Sequence, residues 1–130
     1  GMIRDPQNTE IAGLYARDTD RLCIVREGVG YKVGAFVDYG DGITCSGSGT
    51  VSRVGEVMHL ELGGKGDCGF DAQYDGERIR FPGQVPEGCE ALCSGRASFA
   101  GFEPSLLSES EVEAASVRDP KGRLLCATSD

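Results

Sequence analysis

Between Ile11 and Phe81 apolar and polar residues alternate along much of the chain. Tyr31, Val33, Ala35, Val37 and Tyr39 point one way, with Lys32, Gly34, Phe36 and Asp38 between them. That period of two belongs to a strand with one buried face. The run Glu56 to Leu62 repeats the pattern, setting Met58, Leu60 and Leu62 against Val57, His59 and Glu61. Cys68, Phe70, Ala72 and Tyr74 alternate with Gly69, Asp71 and Gln73, and Ile79 and Phe81 with Arg78 and Arg80. Pro82 ends the last of these, because it has no N–H for a ladder. Shorter strands are predicted over Ile11 to Ala16 and Leu22 to Val25, a weaker one over Gly49 to Val54, and an eighth over Ala97 to Phe102. Turn residues separate them: Asp18-Thr19-Asp20, Glu27-Gly28, Gly40-Asp41-Gly42, the run Gly63 to Asp67, and the sharp hairpin signal Asp75-Gly76.

The pattern then changes. Ser108 and Glu111 have the spacing of a capping box, in which each side chain satisfies the other residue's free amide. A short helix is expected over Glu109 to Val117, stopped by Asp119-Pro120-Lys121-Gly122, with a last strand at Leu124 to Cys126. The expected fold class is all-β: an eight-stranded antiparallel meander closed into a small barrel, with a C-terminal helix and final strand. Closure removes the exposed edges. Residues 1–10 read as an N-terminal arm and 11–130 as one domain. An eight-stranded barrel is wide enough to be filled by side chains or to hold one small ligand. The inward candidates Leu22, Ile24, Val33, Val37, Met58, Leu60, Phe70, Tyr74, Ile79 and Phe81 are large enough to fill it.

Composition sharpens this. The chain has 130 residues, 20 of them glycine and none tryptophan, and a net charge of −8. An acidic domain is repelled by nucleic-acid phosphates and by anionic membranes. No stretch of about 18 apolar residues offers a membrane span. Gly1 ahead of Met2 reads as the scar of a cleaved tag, with a signal peptide already removed. The six cysteines, Cys23, Cys45, Cys68, Cys89, Cys93 and Cys126, include no C-x-x-C. Redox motifs and paired zinc knuckles are therefore absent. Reduced buried thiols in a cytosolic protein would be the bland account. An even number spread along a small domain favours three disulfides and a periplasmic or secreted location. The Asp75-Gly76 hairpin brings Cys68 near Cys89, so these are expected to pair.

No catalytic set assembles, and the chain is read as a non-enzyme without metal or cofactor. His59 is the one histidine and lies on the polar face of its strand beside Glu61. Ser46 and Ser48 lack the strand-turn-helix frame of a nucleophile elbow. Asp71 and Asp75, a formal carboxylate pair, sit on a polar face next to a turn. A monomeric protein-binding module is the favoured reading. A carrier of a small apolar ligand and a structural envelope protein are the alternatives.

Gly13-Leu14-Tyr15 resembles the Gly-x-Trp opening of calycin barrels, with Tyr in place of Trp. Leu22-Cys23-Ile24-Val25, the step to Cys45 and the strand Val57 to Leu62 are similar to small periplasmic inhibitors of bacterial metalloproteases, themselves calycin-like barrels. That resemblance covers Ile11 to Phe81. It implies a Cys23–Cys45 disulfide, which leaves Cys93 for Cys126. It also implies an N-terminal arm, here Met2, Ile3, Arg4 and Asp5, that plugs a protease cleft. Cys45-Ser46-Gly47-Ser48-Gly49 is similar to the Ser-Gly-Ser loop of bacterial inhibitors of C-type lysozyme, which implies a partner-binding loop at Ser46, Gly47, Ser48 and Gly49. Read without the resemblance, that segment is a flexible loop. The partner implied by both is a secreted hydrolase.

Overall fold

A computed structural model describes residues 9–63 and 67–127. Eight strands form one antiparallel sheet: β1 Gly13–Arg17, β2 Asp20–Glu27, β3 Gly30–Asp38, β4 Thr44–Val54, β5 Val57–Leu62, β6 Cys68–Tyr74, β7 Ile79–Arg80 and β8 Ser105–Ser108. The first seven follow one another as a meander, and β8 then pairs with β1. On its other side the β8 segment meets β7. Arg78 bridges Ser105, the Leu106 amide donates to the Glu77 carbonyl at 2.7 Å, and the Ile79 amide donates to Pro104 at 3.1 Å. The sheet thus closes into a nearly complete barrel, as expected from its alternating pattern.

The closing strand is Ser105–Ser108, not Ala97 to Phe102. Phe99 and Phe102 occupy a turn in which the Phe102 amide donates to the Phe99 carbonyl at 3.1 Å. Both rings are fully buried there, so their apolar spacing reflects a plug in the barrel mouth rather than strand alternation. That plug runs from Pro82 to Pro104 and contains a 3-10 helix, Glu87–Leu92. The α-helix is also displaced. Helix α1 spans Glu111–Ala115 and is capped by Ser110, whose Oγ accepts from the Glu113 amide at 3.2 Å. Ser108 belongs to β8 instead. Leu124 makes a single bridge to Arg118 rather than a final strand.

All ten predicted inward side chains are buried. With the plug they form one interior cluster, in which the Phe81 ring lies 4.9 Å from Phe70, 5.2 Å from Phe102 and 6.1 Å from Phe99. A second, smaller cluster lies outside the barrel wall. There Ala114, Val117, Leu125 and Cys126 cover Leu14, Cys23 and Val25 of β1 and β2.

All six cysteines are paired, as Cys23–Cys126, Cys45–Cys93 and Cys68–Cys89. The hairpin-based pair Cys68–Cys89 is present. Cys23–Cys45 and Cys93–Cys126 are not. Strand β3 separates β2 from β4, and the two cysteines lie on opposite faces of the wall: Cys45 joins the interior cluster, Cys23 the exterior one. Each takes the partner on its own side, Cys93 in the plug and Cys126 in the outer tail.

Candidate functional site

Cys45-Ser46-Gly47-Ser48-Gly49 is not a loop. It lies within β4, paired with Val37 to Val33 of β3. This corrects the loop expectation. The segment lacks apolar alternation because of what packs on it. A Cβ on Gly47 would stand 2.9 Å from a Leu92 methyl, and one on Gly49 would strike the Glu61 carbonyl.

Pairing between β4 and β5 begins at Gly49–Leu62, so residues 44–48 run past the end of β5. The Thr44 carbonyl takes the Ser94 amide at 2.8 Å, and the Ser48 carbonyl takes the Gly63 amide at 2.9 Å. In an antiparallel strand alternate residues direct both N–H and C=O to the same side. The Ser46 N–H and C=O therefore face the plug side: the antiparallel bridge Cys45–Cys93 sets the N–H against the Leu92 carbonyl, and the C=O is directed toward the interval between Ser94 and Gly63.

A groove of about 700 Å³ lies there. Ser46, Gly47 and Ser48 form its floor. Leu92, Cys93 and Ser94 line one wall, and Asp119 to Lys121 with Arg123 to Leu125 line the other. Each wall is fastened covalently to the sheet, one by Cys45–Cys93 and the other by Cys23–Cys126.

Asp119 organises the outer wall. Its carboxylate accepts the Lys121 and Arg123 amides, each at 2.9 Å, the Arg123 Nε at 3.0 Å and the Ser46 hydroxyl at 3.3 Å. Burial pushes its pKa up, but hydrogen bonds from the Arg123 amide and guanidinium and from the Lys121 amide outweigh burial and hold it below the usual value. Beneath this wall a Cβ on Gly34 would lie 2.6 Å from the Leu125 Cβ, so the tail seats only on glycine.

The other singled-out residues sit elsewhere. His59 lies on the outer face, its Nδ1 2.8 Å from Asp71 and its Nε2 2.9 Å from Glu61. Hydrogen bonds to Glu61 and then Asp71 raise its pKa above the ordinary 6.5. Asp75 faces away from Asp71 in function: it accepts the Glu77 and Arg78 amides at 3.0 and 2.7 Å in its turn. Met2, Ile3, Arg4 and Asp5 lie outside the described residues. The root of the arm is anchored: the Glu10 carboxylate accepts from Arg26, from the Tyr31 hydroxyl at 2.5 Å and from the Ile11 amide at 3.1 Å.

No protein-family model, curated protein or solved structure matches the chain. Its chemistry is therefore read from the groove itself. Sequence reasoning singled out Ser46 to Gly49 but missed both walls, Leu92 to Ser94 and Asp119 to Leu125. The turn signal Asp119-Pro120-Lys121-Gly122 was the one local trace of the outer wall. Among the described residues no cluster of three or more His, Cys, Asp or Glu is arranged to hold a metal ion. No helix there is long and apolar enough to cross a membrane. Three disulfides in so small a domain suit an extracellular or periplasmic location.

Proposed function

We propose that this protein is a non-catalytic binding module of the periplasm or extracellular space, and that it acts by seating an extended segment of a partner protein in the groove beside Ser46. The observation that carries this reading is the double fastening of the groove. Both walls are tied by disulfides to the sheet that floors it. A site held in its bound shape loses little conformational freedom on docking, so more of the contact energy appears as affinity. The Ser46 C=O, directed past the end of β5, supplies an acceptor of the kind an extended backbone seeks. Leu92 and the exposed Leu124 supply apolar contact. The partner class is a secreted hydrolase, and the net charge of −8 would hasten encounter with a basic one.

The test is inhibition of a C-type lysozyme and of a serralysin-like metalloprotease at micromolar protein. The wild type should slow at least one of them, and Ser48→Arg combined with Leu124→Glu should relieve inhibition without lowering the melting temperature. Inhibition lost on deleting Met2 to Asp5, yet retained in the groove variant, would move the contact surface to the arm. Failure to slow either enzyme would overturn the hydrolase reading. A filled interior, with Tyr15, Leu22, Phe99 and Phe102 fully buried, speaks against the carrier reading.

A further inference from the structure

We infer that the Cys45–Cys93 disulfide is a thiol–disulfide exchange site, open to a dithiol reductant while the barrel stays folded. The half-cystines differ sharply in access. Cys23, Cys45, Cys68, Cys89 and Cys126 are each at most 1% exposed. Cys93 is half-buried and lies between two surface depressions. One is the groove over β4. The other lies on the far side of the plug and is lined by Val85, Glu90, Arg96 and Phe99 among others. Exchange requires a thiolate to reach a sulfur, and Cys93 is the one cysteine of the six that is not fully buried.

The step is an ordinary displacement. A thiolate of the dithiol attacks Cys93 Sγ, forming a mixed disulfide, while Cys45 Sγ leaves with the electron pair and takes up a proton. The second thiol of the reductant then attacks its partner sulfur in the mixed disulfide. Cys93 departs as a thiol and the reductant closes into a cyclic disulfide. Two electrons pass from the dithiol to the protein. Arg96 and, across the groove, Lys121 and Arg123 offset the repulsion that an acidic protein would otherwise present to a thiolate.

The fold is built to survive this cleavage. Cys68–Cys89 still anchors the 3-10 helix close to Cys93. Ser94 keeps its amide bond to the Thr44 carbonyl, its hydroxyl bond to the Gly42 carbonyl at 2.9 Å, and the Thr44 amide at 3.0 Å on its Oγ. What is freed is Leu92, the side chain that rests over Gly47 and Gly63. The exchange site stands whatever the groove binds.

The test is graded reduction of the native protein with dithiothreitol, trapping by alkylation, and peptide mapping, with far-ultraviolet circular dichroism followed in parallel. The expected result is a species with two alkylated cysteines, mapped to Cys45 and Cys93, that retains the native spectrum. It should form at least about tenfold faster than any species with four or six, since fully buried bonds wait for an opening event. Oxidised glutathione should then restore the original bond. Simultaneous loss of all three bonds, a first cleavage at Cys23–Cys126 or Cys68–Cys89, or loss of the native spectrum at two thiols would overturn the inference.

Discussion

The chain from β1 through β7 and the chain from Pro82 onward build the same barrel by different means. In the first, each strand pairs with its neighbour in sequence, across turns as short as Gly28-Val29 and Gly55-Glu56. In the second, a plug, one closing strand, a short helix and a tail attach at separate places on the finished wall. Every disulfide joins the two: Cys23, Cys45 and Cys68 come from the meander, and Cys126, Cys93 and Cys89 from the later segment. Local pairing organises the meander, whereas covalent closure and a few large aromatic rings hold the C-terminal part. The candidate groove lies on the seam, its floor from the first region and its walls from the second.

Five variants probe this division, in descending order of effect. Replacing both Cys23 and Cys126 by Ser opens a loop with a sequence separation of 103. In the chain-entropy account that costs about 4.7 kcal/mol, against about 3 kcal/mol for losing Cys68–Cys89 with its separation of 21. Urea unfolding of the two double variants measures the ranking, and a larger loss at Cys68–Cys89 would contradict it.

Phe81→Ala comes next. Its ring joins Phe70 of the meander to Phe99 and Phe102 of the plug, and its removal should cost about 3–5 kcal/mol. A loss below about 1 kcal/mol would mean that the plug is not energetically coupled to the barrel.

Asp119→Ala should cost about 1–3 kcal/mol, because it strands the amides of Lys121 and Arg123. The carboxyl is held below its ordinary 3.8, so its contribution is present in full above that value and fades as the pH falls through the lowered folded one. Wild type and Asp119→Ala should therefore converge in stability in strong acid. Parallel acid titrations followed by circular dichroism check the convergence.

The smallest effect is at His59, wholly within the meander. His59→Gln should change stability by less than about 1 kcal/mol, as for other exposed ion pairs. The raised pKa stabilises below 6.5 and that contribution is lost as the pH rises through the folded value. Nuclear magnetic resonance titration of the ring protons should give a midpoint above 6.5.

The same division explains what could be read from the sequence. Strands β3, β5 and β6 announce themselves because one face is buried and the other wet. Strand β4 does not. Its Ser46-Gly47-Ser48-Gly49 stretch carries small residues because Leu92 packs on one face and Asp119 reaches the other, and both neighbours are distant in sequence. Strand β8 is equally silent: Leu106 and Leu107 hold two apolar positions between serines, and its partner is β1 at the far end of the chain. The plug misleads, since Phe99 and Phe102 are spaced for a turn that buries both rings. Cysteine pairing followed faces of the sheet, which depend on register and not on spacing. The groove was therefore half visible, as a floor without walls.

The Cys23–Cys126 bond has a topological consequence. It joins β2 to the tail and so turns nearly the whole domain into a single covalent ring, spanning a separation of 103 residues. A protease cutting between these two cysteines, for instance at the exposed hairpin tips Val29 or Val54, severs the backbone but releases no fragment. The two pieces stay joined by the disulfide and by the antiparallel ladder on either side of the cut. Such a ring makes a first nick survivable: the pieces part only once every disulfide spanning the cut is reduced, Cys23–Cys126 for a cut at Val29, and Cys45–Cys93 as well for a cut at Val54.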